Sequence, residues 1–131
     1  MNKLYRLLLV LVSGFGALAG LSLTVEHIQT GEVCPHLGLI PACYLVLVAY
    51  AMIFASAFTL GKSIGVRLFF VGWIIVFGLA ASGVVMELIV GETCPPGPAG
   101  IPQCFISFSM AVACLVFFVL ARRTLAEERA R

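Results

Sequence analysis

Four apolar stretches, separated by short polar segments, account for most of the chain: Leu4 to Val25, Ala42 to Leu60, Val66 to Val90 and Ile101 to Ala121. Each holds about 20 residues, the length at which a helix crosses about 30 Å of hydrocarbon. Lys and Arg occur only at or beyond their ends. Lipid offers no partner for backbone N–H and C=O groups, so segments of this kind are predicted to be helices. The expected fold is all-α: an integral membrane four-helix bundle occupying residues 1–131 as one domain.

Between the apolar stretches a pattern occurs twice. Glu26-His-Ile-Gln-Thr-Gly-Glu-Val-Cys34-Pro35 leads to Ile40-Pro41-Ala42-Cys43, and Glu87-Leu-Ile-Val-Gly-Glu-Thr-Cys94-Pro95 leads to Ile101-Pro102-Gln103-Cys104. Glu26 and Glu87 are 61 positions apart, as are Ile40 and Ile101, Pro41 and Pro102, and Cys43 and Cys104; the Gly-Glu-x-Cys-Pro block is offset by 60. A one-residue shift therefore lies inside the match. The expectation is two tandem helical hairpins, residues 1–61 and 62–121, with a tail at 122–131 that extends the last helix on the cytoplasmic side. Parallel repeats in membranes are usually related by an axis along the membrane normal, which predicts a pseudo-twofold bundle.

Composition agrees with the patterning: 62% of residues are hydrophobic and 11% charged, with a mean hydropathy of +1.14. Soluble domains carry about 25% charged residues, so a water-soluble core is excluded. All eight basic residues fall before the first span, between spans two and three, or after the fourth: Lys3, Arg6, Lys62, Arg67, Arg122, Arg123, Arg129 and Arg131. The other two loops hold Glu32 and Glu92 and no Lys or Arg. The positive-inside rule then predicts cytoplasmic termini, with both motif loops outside a plasma membrane of bacterial inner-membrane type. Basic residues so placed are topology signals and do not form a nucleic-acid patch. Met1 to Gly20 resembles a signal peptide, but the apolar run continues to Val25, so a retained first span is expected.

Cysteine is the first candidate chemistry. Cys34, Cys43, Cys94 and Cys104 lie in the outward loops, and Cys114 lies inside span four. On an oxidising face, paired loop cysteines form disulfides. Pairing within each loop, Cys34 with Cys43 and Cys94 with Cys104, is the natural connectivity; cross-loop pairing remains open. The disulfides are either structural staples over Pro-rich loops or redox-active pairs. For the second reading, Cys43 and Cys104 each begin a helix, whose N-terminus stabilises a thiolate. The spacings are not those of a zinc ribbon.

Four spans, inside termini and a cysteine pair in each outward loop resemble the membrane thiol oxidoreductases. These are the quinone-reducing disulfide-bond formation proteins of the DsbB type and the vitamin K epoxide reductases. Cys34-Pro-His-Leu-Gly-Leu-Ile-Pro-Ala-Cys43 is similar to the spaced first-loop pair of the epoxide reductases. Cys104-Phe-Ile-Ser resembles the position of their quinone-facing Cys-x-x-Cys, although position 101 is Ile and position 107 is Ser. The resemblance implies a quinone cofactor and a secreted thioredoxin-like partner.

Glu26 and Glu87 are the second candidate chemistry. Each ends an apolar helix on the outer side, where a carboxylate is costly and asks for a partner. Free N–H groups near Ala42 and Gln103, at the next helix start, are one expected partner. A meeting of the two carboxylates over a cation, a proton or a quinone head group is another, and snorkelling to water a third. His27 and His36 occur only in the first copy and are weak metal candidates. Met52, Met86 and Met110 are expected in the bundle core. Three function classes follow: a thiol–disulfide redox protein linked to quinone, a non-catalytic accessory or assembly subunit of a larger membrane complex, and a small metal-ion or solute carrier.

Overall fold

A computed structural model describes residues 2–31, 34, 36–91, 94 and 96–131. Glu32 and Glu92, expected in the outward loops, lie outside the described residues, as do Pro35 and Pro95. The chain is helical: α1 (Asn2–Thr30), α2 (Ala42–Ser56), α3 (Ser63–Ile89) and α4 (Gln103–Ala130). Between α1 and α2 a two-stranded antiparallel ladder, β1 (His36–Leu37) and β2 (Ile40–Pro41), pairs His36 with Pro41 and Leu37 with Ile40. The second connection holds a single bridge, Pro96 to Pro102, and one 3₁₀ turn at Pro98–Gly100.

The helices pack in the cyclic order α1, α2, α3, α4 and back to α1. Neighbours run antiparallel. Gly14 faces Phe54 and Gly20 faces Leu47; Trp73 meets Ala111, and Phe69 meets Phe118. Both disulfide-bearing connections therefore lie at one end of the bundle. The chain termini and the α2–α3 turn lie at the other, where Arg6 stacks over Phe58 and Arg129 reaches Gly61.

The buried stripe of α1 is Leu9, Ser13, Gly16, Gly20, Thr24 and His27, at intervals of three and four, and that of α3 is Gly65, Phe69, Gly72, Val76 and Ala80. Much of this inward surface is small or polar. The outward surface is large and apolar: Leu7, Leu11, Phe15 and Leu18 on α1, and Ile74 on α3, are exposed. That is the reverse of a helix packed in water. Small residues on the inward stripe let helices approach closely. Inward hydroxyls bond within their own helix, Ser13 Oγ to the Leu9 carbonyl at 2.6 Å and Thr24 Oγ1 to that of Gly20 at 2.7 Å. The aromatic centre is a stacked pair, Phe69 on Phe118, with ring centroids 3.8 Å apart.

Burial recurs along the chain. In α1 and α3, Leu9, Gly16 and Gly20 are buried, and so are Phe69, Val76 and Ala80, 60 positions on. In α2 with its following turn and in α4, Tyr50, Ile53, Ala57 and Leu60 are buried, and so are Ala111, Cys114, Phe118 and Ala121, 61 positions on.

Three helices, α1, α3 and α4, are long and apolar enough to cross a membrane. The second differs from the expected run to Leu60. Its regular helix stops at Ser56 after 15 residues. Beyond it, Ala57, Phe58 and Thr59 donate to carbonyls three residues back, which tightens the chain. Ser56 and Thr59 hydroxyls take up carbonyls of the same turn, Ser56 Oγ to Ile53 at 2.5 Å, and so compete with continued helix. Of the methionines expected in the core, Met110 packs against it, whereas Met86 is 46% exposed.

Candidate functional site

α1 and α3 end alike. Gly31 and Gly91 adopt φ of +83° and +75°, and their N–H groups return to the carbonyls of His27 and Glu87 at 2.7 and 3.0 Å. Glycine is the residue that takes a left-handed helix stop without steric cost. Three residues further on comes the first cysteine of each loop. α2 and α4 also begin alike, behind extended prolines, Pro41 (φ −64°, ψ 137°) and Pro102 (φ −58°, ψ 138°). Cys43 and Cys104 are thus the second residues of their helices.

The disulfides join Cys34 to Cys43 and Cys94 to Cys104, each with Cα atoms 6.0 Å apart. Pairing is within each loop. Cys114 is a free thiol, buried in α4 away from both.

The one-residue shift between the motifs sits in the loop turn. In the first loop Gly38 and Leu39 separate the paired Leu37 and Ile40. In the second, Gly97 donates to the carbonyl of Ile101 at 2.9 Å across the three residues Pro98–Gly100. Everything before the turn, the helix ends included, therefore corresponds at an offset of 60.

That register changes the reading of the carboxylates. The counterpart of Glu87 is His27, not Glu26. Glu87 Oε2 accepts the backbone N–H of Cys94 at 3.0 Å, and His27 Nδ1 accepts that of Cys34 at 3.4 Å. Glu26 is exposed on the adjacent face of α1. A partner is expected at the next helix start, near Ala42 or Gln103; the amide seen at Glu87 is that of Cys94, earlier in the loop.

His27 is buried, and His36 is exposed with its ring centroid 5.4 Å from that of His27; the Tyr44 ring stands edge-on to His27 at 6.3 Å. Among the described residues no three His, Cys, Asp or Glu side chains gather into a group able to hold a metal ion.

An apolar pocket of about 270 Å³ opens between the four helices at the disulfide end. Cys43, Cys94 and Cys104 contribute to its wall, so both disulfides border one space. Its polar groups are Gln103, Ser82 and Ser107. Gly83 makes room there: a Cβ at that position would lie 2.5 Å from Cys104 Sγ and 3.3 Å from Cys94 Sγ. A second cavity of about 160 Å³ shares Gly20, Leu23, Val46, Gln103 and Ser107 with the first, and reaches Tyr50 and Met110 deeper in the bundle.

Sequence reasoning found all four loop cysteines but missed His27 as an amide acceptor and Gly83 as the seat of the second disulfide. The signal for His27 was present: the offset of 60 in Gly-Glu-x-Cys-Pro, carried upstream, pairs it with Glu87. No comparable signal marked Gly83, whose counterpart at the same offset is Leu23. The chain matches no protein-family model, no curated protein and no solved structure.

Proposed function

We propose that the chain is an integral membrane protein built of two tandem hairpins. Its disulfide end lies outside, its termini are cytoplasmic, and it exchanges thiols and disulfides in step with a membrane quinone. The inverted burial of the helices supports insertion. Large apolar side chains facing outward along α1, α3 and α4 are stable against lipid and not against water. All eight basic residues lie toward one end, which the positive-inside rule makes cytoplasmic. The 15 residues of α2 rise about 22 Å at ~1.5 Å each, and the tightened turn beyond them adds about 2 Å per residue, which brings this segment close to the hydrocarbon thickness.

The redox reading is carried by one observation: an uncharged, mostly apolar pocket lined by cysteines of both disulfides. A quinone is a flat apolar ring with two carbonyl acceptors. Gln103 and Ser107 supply donors at the wall, and the adjoining cavity offers an apolar path for a tail. In the proposed cycle a thiolate of a secreted dithiol protein attacks a loop disulfide and forms a mixed disulfide. The partner's second thiol resolves it, leaving the partner oxidised and the loop with two thiols. Those thiols give two electrons and two protons to the quinone, so that hydroquinone leaves and the disulfide is restored. Cys43 and Cys104, at helix N-termini, are the suited leaving groups, because the helix dipole stabilises the departing thiolate.

The test is direct. Chemically reduced protein in lipid nanodiscs, held anaerobically, is mixed with a short-chain ubiquinone while quinone absorbance and free thiols are followed together. Loss of two thiols per quinone reduced is the expected result. Thiols that persist unchanged with quinone present would end this reading.

A second reading is favoured by the burial of the first disulfide, with Cys34 5% and Cys43 7% exposed. A bond so enclosed suits a permanent staple in an accessory subunit of a larger complex. Stoichiometric copurification of another membrane protein, with both disulfides resistant to thiol buffers, would support that instead.

A further inference from the structure

The two loops share a frame but not a cap. His27 and Glu87 each stand seven residues before the first cysteine of their loop and accept its backbone N–H. To accept, His27 Nδ1 must present its lone pair, so the ring proton sits on Nε2. A neutral base therefore stands beside Cys34, and a carboxylate beside Cys94.

Reduction of either disulfide yields two thiols, and the form that attacks in exchange is the thiolate. In the first loop the proton leaving sulfur can pass to His27 Nδ1, which then releases the Cys34 amide. The products are a thiolate and an imidazolium, and the freed N–H becomes a donor to the new anion. An opposite charge beside a thiol favours its ionisation. In the second loop a thiolate would form beside the Glu87 carboxylate, with the Cys94 amide already engaged. Like charges disfavour that step. Among the described residues the other titratable groups around His27 are Glu26 on its own helix, His36 on β1 and Tyr44 on α2. At the same end α4 contributes no titratable side chain except Cys104.

Resting on the redox reading above, we infer that His27 and Glu87 are positioning residues that make the loops unequal: the thiols of the first pair are the readier to exchange, and those of the second are held back. The pseudo-symmetric frame supplies two disulfides, and one exchanged side chain divides their work.

The experiment is per-cysteine alkylation. Reduced protein in nanodiscs is treated with iodoacetamide across a range of pH, and mass spectrometry gives each cysteine's rate. The first loop should reach half its plateau rate about one pH unit or more below the second. His27→Gln should raise the first-loop midpoint, and Glu87→His should lower that of the second. Midpoint is the quantity read, because plateau rates also report access. Equal midpoints in the unsubstituted protein would overturn the inference, as would a first-loop midpoint unmoved by His27→Gln. Where that variant does not fold, the two loops of the intact chain and Glu87→Gln decide. Quinone-driven oxidation with equal midpoints would leave the redox reading standing and remove this one. Unequal midpoints without quinone-driven oxidation would remove the redox reading and leave only the difference in thiol activation between the loops.

Discussion

Glu87 holds the backbone N–H of Cys94 at 3.0 Å from the last turn of α3, at the place where α1 carries His27. The contact ties the end of a long helix to the start of the second disulfide loop. Among the described residues that loop is anchored by this amide, the disulfide, the Pro96–Pro102 bridge and the bond from Gly97 N–H to the Ile101 carbonyl. Replacing Glu87 by Ala removes the acceptor and should destabilise the bundle by about 1–3 kcal/mol. Glu87→Gln, which keeps a carbonyl acceptor, should lose less. Reversible unfolding in mixed detergent micelles measures both, and equal losses would show that the amide contact contributes little.

Gly83 seats the second disulfide against α3. Gly83→Ala places a Cβ 2.5 Å from Cys104 Sγ, and overpacking of this kind destabilises by about 1–3 kcal/mol. The Cys94–Cys104 bond should then be reduced at a lower thiol concentration than in the unsubstituted chain. Gly78 is the control. A Cβ there meets nothing within 4 Å, so Gly78→Ala should be neutral or stabilise by about 0.4–1 kcal/mol. Similar behaviour of the two variants in a glutathione titration would contradict this packing.

Removal of the first disulfide tests its part as a staple. Closing a ring with cysteines nine positions apart contributes about 2.5–3 kcal/mol in the chain-entropy model. Cys34→Ser with Cys43→Ser should lower the unfolding free energy by that amount while leaving helix content unchanged by circular dichroism. A loss of helix would mean that the bond is needed to form α2 as well as to hold it.

Trp73 is the only tryptophan, and its Nε1 donates to the Ala111 carbonyl at 2.9 Å while its ring stacks on Phe77. Trp73→Phe keeps an aromatic ring and loses the donor, with an expected cost of about 0.5–1.5 kcal/mol. In the unsubstituted chain, Trp73 emission should shift to the red when α3 and α4 separate. Emission that does not change through the unfolding transition would show that the contact persists without the bundle.

The proposed orientation predicts the outcome of labelling in intact cells. After reduction, a membrane-impermeant maleimide should reach the loop cysteines from outside. A cysteine introduced at Arg131 should stay unlabelled until the membrane is opened. Labelling of both from the same side would reverse or abolish the four-span topology.

Much of this architecture was legible along the chain. Runs of about 20 apolar residues leave a helix little alternative, and glycines after α1 and α3 with prolines before α2 and α4 mark where the helices stop and start. Short loops between such helices make pairing within each loop the natural connectivity and leave cross-loop pairing open; the structure joins each cysteine to one in its own loop. The end of α2 was not legible, because Ser56 and Thr59 bond to nearby carbonyls only once the local turn exists. The pocket and the fit of Gly83 under Cys104 depend on how far apart four helices settle, which no single segment encodes.

The plainest division concerns the acid pair. Matching identities along the sequence aligns Glu26 with Glu87, because a shared letter outweighs a shift of one. In a helix a shift of one residue turns a side chain by about 100°, so neighbours at positions 26 and 27 face different surroundings. Backbone phase, set by packing through Leu9, Gly16 and Gly20 on one side and Phe69, Val76 and Ala80 on the other, puts His27 where Glu87 stands. The sequence determined which residues were available at that end of the bundle; only the tertiary structure decided which of them meets the cysteine.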